Sequence, residues 1–247
     1  MEQRLNPKTT SQLWYLTIKN FKSMIREVSQ LIWIFGYPLI FMLLFRFAYG
    51  AEVYEFMAPG VAIIGPIVLI SQLAGHFADE KESGTLQRLI TTPVSRQSIL
   101  LSGLFSQLIV AIIQILIMIL LSLLFGAYYH REANLFLVFL IPFLVAFSSL
   151  GFGLLLASFV KTASSAGGLA WFIILPLQFL GGLLVNPDLV LLEFIPTSLA
   201  LRAMTAVMID GSVAFDPVGL NLLLITIWGI GLILLGIILF QRKTAIL

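Results

Sequence analysis

Asp79-Glu80-Lys81-Glu82-Ser83-Gly84-Thr85-Leu86-Gln87-Arg88-Leu89-Ile90-Thr91-Thr92-Pro93-Val94-Ser95-Arg96 gathers acids, bases and hydroxyls between two long apolar runs. In a chain with only 11% charged residues, such an island must face water or another protein. Its chemistry is that of ion pairing and hydrogen bonding, which suits a contact surface. His76 and Asp79, three residues apart, share a helical face, which permits a proton-linked pair or a hydrogen bond in the same region. The second histidine, His130, falls on the other side of the membrane in the topology below, so the two cannot share a metal, and no metal site is expected. No Ser/His/Asp set and no pair of carboxylates with catalytic logic occurs, so no catalytic residue and no intrinsic enzyme are expected.

The elements that must position this island are helices in a bilayer. At 60% hydrophobic, with a mean hydropathy of +1.05, the chain lacks the roughly one-quarter charged residues of a soluble globule. Helices of about 20 apolar residues cross about 30 Å of hydrocarbon while satisfying their own backbone. Six apolar segments have that length: Leu31 to Tyr49, Phe56 to Ala78, Ser98 to Phe125, Leu135 to Val160, Ala166 to Val185, and Leu220 to Phe240. The expected fold is an all-α integral membrane protein, residues 1–247 forming one transmembrane domain. There is no cysteine, hence no disulfide or thiolate metal site. The first 30 residues lack the pattern of a signal peptide, so none is expected.

With the amino terminus in the cytoplasm, Arg4, Lys8, Lys19, Lys22, Arg26, Lys81, Arg88, Arg96, Lys161, Arg242 and Lys243 all fall inside. Only Arg46, Arg131 and Arg202 fall outside. Both termini are therefore expected in the cytoplasm. Before the first span, Trp14, Ile18, Phe21, Ile25 and Val28 recur at helical spacing, with Lys19, Lys22 and Arg26 on another face. This predicts a helix lying on the membrane surface, its basic side toward anionic lipid headgroups rather than nucleic acid; it would serve as an anchor, or as an elbow that passes motion to the first span. Between the fifth and sixth spans, Leu189 to Ile195 and Leu199 to Ile209 are too short to cross, which suggests short outer re-entrant helices or an outer loop with amphipathic turns. Glycines and prolines within the spans, such as Pro66, Pro142, Gly151, Gly153 and Pro176, point to kinks and close helix packing.

Within the island, a helix from Glu80 to Thr91 would bring Leu86, Leu89 and Ile90 onto one side and leave Glu82, Thr85 and Arg88 more exposed. Thr92 before Pro93 suits the cap of a new helix leading into the third span. The product is a short amphipathic helix tied to two spans, able to act as a lever. The same residues would also suit a solvated hairpin that keeps positive charge inside.

Glu82-Ser83-Gly84-Thr85-Leu86, with Arg88-Leu89 and Thr92-Pro93-Val94-Ser95-Arg96, resembles the first cytoplasmic loop of ATP-binding-cassette type-2 permeases, most of all that of bacterial and archaeal multidrug-efflux members. Tyr54-Glu55-Phe56-Met57-Ala58-Pro59-Gly60-Val61 resembles the entry to their second span. Pro176 to Gly182, with Pro187 and Pro196, resembles the end of their fifth span and the outer re-entrant helices. The likeness covers nearly the whole chain in order.

This resemblance implies that the lever is a coupling helix, docking on a separate ATPase subunit through Glu80, Glu82, Gly84, Thr85, Leu86, Arg88 and Pro93. The chain has no G-x-x-x-x-G-K-[ST] phosphate loop, so ATP and Mg would sit on the partner, present in two copies. A second permease copy would complete the pathway as a homodimer in a prokaryotic plasma membrane. Carry-over from the family makes Ser71, Gln72, Gln178 and Phe179 pathway-lining residues. The largely apolar, aromatic pathway suits an amphipathic drug-like or lipid-like cargo. Polysaccharide and sodium exporters share the same architecture, and a self-sufficient channel or secondary carrier is the rival class.

Overall fold

The computed structural model describes residues 7–91, 94–127, 129–183 and 194–244, and no strand occurs among them. Among these residues eleven α-helices follow in order: α1 (Pro7–Arg26), α2 (Val28–Leu31), α3 (Tyr37–Ala48), α4 (Ala51–Ile67), α5 (Leu69–Glu82), α6 (Thr85–Ile90), α7 (Arg96–Leu124), α8 (Leu135–Phe159), α9 (Ala163–Leu180), α10 (Pro196–Met208) and α11 (Leu220–Thr244). A π-helical turn lies at Ile32–Gly36, and the chain enters α11 through a kink at Asp216, whose backbone is extended (φ −111°, ψ 121°).

Among the described residues six stretches are long and apolar enough to cross a bilayer: Val28–Ala48, Ala51–Glu82, Gln97–Leu124, Leu135–Phe159, Ala163–Leu180 and Leu220–Arg242. They match the expected spans, with one informative difference. The second runs through Ala51–Glu82, 32 residues rather than the stretch from Phe56 to Ala78. At 1.5 Å per residue it reaches about 48 Å, well beyond about 30 Å of hydrocarbon. The head of the charged island thus belongs to the span itself. Alternation of the spans gathers α6 and the α8–α9 junction at one end of the bundle, here the α6 end, and places α10 at the other.

Span two bends between Ile67 and Leu69, where Pro66 interrupts the hydrogen-bond ladder and Val68 N–H turns to the Gly65 carbonyl at 3.1 Å. Span one carries the π-helical turn at Ile32–Gly36, and the Ile34 carbonyl is taken up by Gln114 Nε2 of α7. In hydrocarbon a freed carbonyl has no water to turn to, so a side chain from the next span supplies the bond.

Helix α8 is the central rod, packed between α11 and α5. Two glycines two residues apart make this possible. A Cβ at Gly151 would lie 2.5 Å from Leu232 Cβ of α11, and one at Gly153 would lie 2.9 Å from the Ile70 carbonyl of α5. Small residues on both flanks let three helices approach where dispersion, rather than water exclusion, drives association.

Helix α1 sits against α7 as well as leading into span one. Its buried side is Leu16, Thr17, Asn20 and Met24, with Asn20 Nδ2 donating to Ser102 Oγ at 3.4 Å. Trp14, Ile18, Ile25 and Val28 of the expected apolar stripe are exposed and only Phe21 is half-buried; Lys19, Lys22 and Arg26 are exposed too. The stripe therefore faces away from the protein, as a lipid-facing surface must.

The outer-loop reading of residues 199–209 is corrected: all but Ile209 lie in α10, the 13-residue helix Pro196–Met208, with Leu199, Ala203, Met204 and Val207 buried and the helix packed against α4, α8 and α11. At about 20 Å it is too short to cross. The other expected short segment, Leu189 to Ile195, lies mostly outside the described residues.

Candidate functional site

The charged island folds into a corner. Backbone N–H groups of Ser83 and Gly84 close α5 onto the Asp79 and Lys81 carbonyls. Gly84 then takes a φ of +69°, left-handed, which a side chain would resist. The continuous helix expected from Glu80 to Thr91 is thereby cut into α5 and α6. Helix α6 is fastened from below: Leu86 is only 4% exposed and joins Leu16, Leu73, Phe77, Ile99, Leu100 and Phe240 in one cluster, with Leu89 packed against it. Gln87 and Arg88 point outward and Thr85 is half-buried. A solvated, unattached hairpin would not bury Leu86. Ser95, not Thr92, caps α7, its Oγ accepting from Ser98 N–H at 3.1 Å; Thr92 and Pro93 lie outside the described residues.

The acids of the island divide by task. His76 turns to Glu80, not to Asp79: Nε2 and Oε1 stand 3.8 Å apart, one helical turn along α5, while Asp79 is exposed. Glu80 is buried, and Lys19 of α1 acts electrostatically on both Glu80 and His76. Glu82 reaches across to α9, where its Oε2 accepts from Ala163 N–H at 2.9 Å.

Lys81 was not singled out by its sequence. Its Nζ donates to the carbonyls of Ala157 and Val160 at the end of α8 and lies 4.8 Å over the Phe240 ring of α11. Its helix-end logic is simple. Helix α8 has no base in its last turn and α9 no acid in its first, so neither terminus offsets its own dipole. Consecutive residues of α5 supply both charges. The missing complements were a signal in the sequence, but one that does not say where they would come from.

The residues expected to line a pathway sit on two helices that pack against each other, α5 and α9. Ser71 and Gln72 are half-buried on α5; on α9, Gln178 is buried and Phe179 is 46% exposed. Gln178 Oε1 accepts from Tyr37 Oη at 2.8 Å, and the Tyr37 ring packs edge-on to Trp171 with centroids 5.2 Å apart. Above and below, Trp33, Phe41, Phe45 and Tyr49 continue an aromatic ladder at four-residue spacing along span one. Tyr37 and Trp171 were missed because aromatics are common in spans and carry no distinguishing local pattern.

Among the described residues no group of three or more His, Cys, Asp or Glu side chains could hold a metal. Comparison with known proteins supplies the rest. The chain is 26% identical over 197 residues to ABC transporter G family member 20 of Dictyostelium discoideum, which covers 76% of this chain and 27% of that relative. The chain thus spans only about a quarter of the relative's length. Residues 11–209 match the ABC-2 type transporter family. That match takes in five spans, the α6 corner and α10, and the chain belongs to the ABC-2 type transporter family, the membrane-spanning permease component of ABC transporters.

Proposed function

We propose that residues 1–247 form one transmembrane domain, the permease subunit of an ATP-driven exporter, in which α6 is the coupling helix. ATP and Mg are bound by a separate ATPase subunit, two copies of which sit beneath two copies of this chain. The α6 end and both termini face the cytoplasm of a prokaryotic cell. The observation that carries this reading is the α6 corner: a short helix clamped into the bundle by Leu86 yet presenting Gln87 and Arg88 outward. An element fixed on one side and open on the other can transmit force.

In this reading the coupling residues have different tasks. Glu80 and Glu82 hold the corner on the permease side, Gly84 sets its bend, Leu86 anchors it, and Thr85 and Arg88 meet the ATPase, with Pro93 leading into α7. Closure of the ATPase pair on nucleotide would press the two corners together and shift spans two and five. The cargo is amphipathic, drug-like or lipid-like, and passes Ser71, Gln72, Gln178 and Phe179. Lys19, Lys22 and Arg26 hold α1 to anionic headgroups.

The test is transport by purified chain reconstituted with its ATPase in vesicles, using a fluorescent amphiphilic dye. ATP-dependent, vanadate-sensitive dye movement is expected. Dye or ion flux that ignores nucleotide would identify a channel or carrier and overturn the proposal.

A further inference from the structure

Resting on the exporter reading, we infer that Lys81 and Glu82 are positioning residues that make span five follow the α5–α6 corner, so that force entering at α6 reaches α9 directly. The junction between α8 and α9 is three residues, Val160, Lys161 and Thr162. Lys81 grips its near side through the Ala157 and Val160 carbonyls, and Glu82 grips its far side through the Ala163 amide. Neighbouring residues of a helix point about 100° apart, so one turn of α5 can hold both sides at once. All three bonds involve a charged group, and each of the two charges also complements a helix dipole.

The rest of the geometry leaves little slack. Helix α5 packs along both α8 and α9, and Thr162 caps α9 internally through Ser165 N–H at 3.3 Å. A span of three residues extends at most about 10 Å. Displacement of the end of α5 must carry the start of α9 with it or break these contacts. The ammonium over Phe240 adds α11 to the same grip. One corner is thereby joined to five spans: two through the chain, and α8, α9 and α11 through Lys81 and Glu82.

Absence of native cysteine makes the test clean. Spin labels are placed on cysteines introduced at Gln87 of α6 and at Ser164 of α9, each paired with one at Glu132, all three exposed native positions. Distances are measured in the full permease–ATPase complex in nanodiscs, nucleotide-free and vanadate-trapped. In the otherwise native chain both distances shift on trapping, by the ~1–2 Å or more of helix movements at interfaces. In Glu82→Ala and Lys81→Met the Gln87 shift stays and the Ser164 shift is lost, whereas Glu82→Gln and Lys81→Arg, which keep an acceptor and a donor, retain both. Should Lys81→Met fail to insert, Glu82→Ala gives the same readout alone. A Ser164 shift that persists unchanged without these contacts overturns the inference and leaves the exporter reading standing. An unmoved Gln87 in the native complex overturns both.

Discussion

Tyr37 donates to Gln178 at 2.8 Å, tying the first span to the fifth through a half-buried tyrosine and a fully buried amide in an otherwise apolar layer. Interhelical hydrogen bonds of this kind contribute about 0.6–2 kcal/mol in membranes. Tyr37→Phe leaves the Gln178 amide buried with no partner, which costs more than the bond alone. We expect Tyr37→Phe to lower stability by about 1–2 kcal/mol, and Gln178→Leu added to it to restore much of the loss. A double-mutant cycle from unfolding in mixed micelles measures this; additive effects would mean that the two groups are not coupled.

Gly151 and Gly153 set how closely α8 meets α11 and α5. An added methyl at Gly151 would face Leu232 Cβ at 2.5 Å and Ile233 N at 3.0 Å, and the second contact is backbone that cannot turn aside. Gly151→Ala is expected to destabilise by about 1–3 kcal/mol, as overpacking does. Gly168→Ala is the control: nothing lies within 4 Å of its added carbon, and alanine favours a helix by about 0.8–1 kcal/mol. Opposite signs for the two variants in the same unfolding assay are the outcome to look for.

Gly211 at the α10 end has a φ of +65°, and an added Cβ would strike His130 Nδ1. That histidine lies on the loop that closes onto α10 through His130 N–H and the Met208 carbonyl at 2.7 Å. Gly211→Ala should therefore lose stability twice, by the collision and by about 1–2 kcal/mol for a left-handed alanine. Removing the ring with His130→Ala relieves only the collision. A double variant as stable as the native chain would contradict this account.

The spans were legible because length and continuous hydropathy determine them, and the place of the charged island because charges inside a membrane chain are conspicuous. The Lys81 and Glu82 contacts were not. Their partners are backbone groups of Ala157, Val160 and Ala163, about 80 residues along the chain, and backbone groups leave no trace in residue type. The face that α1 presents to α7 was hidden for a different reason. Leu16, Thr17, Asn20 and Met24 are a mixed set, while the conspicuous stripe from Trp14 to Val28 looks outward. In lipid, apolar side chains mark the surface as readily as the core, so periodicity locates a helix without saying which side meets protein. The break at Gly84 was legible as a glycine, but a helix tolerates glycine, and only the observed φ shows the turn.

Arg88 and Leu86 separate coupling from folding, because one points outward and the other is buried. Arg88→Ala removes an exposed side chain and should change stability by no more than about 0.5 kcal/mol. Under the exporter reading it nevertheless lowers ATP-driven transport, since the contact with the ATPase is lost. Leu86→Ala opens the cluster beneath α6 and should cost about 2–5 kcal/mol, so its transport defect arises from a loosened corner. Measuring unfolding midpoint and ATP-dependent dye transport on both variants distinguishes the two causes. If Arg88→Ala, alone and combined with Gln87→Glu, transports at the native rate, the outward face of α6 is not where force enters, and the coupling role must move to another surface at that end of the bundle.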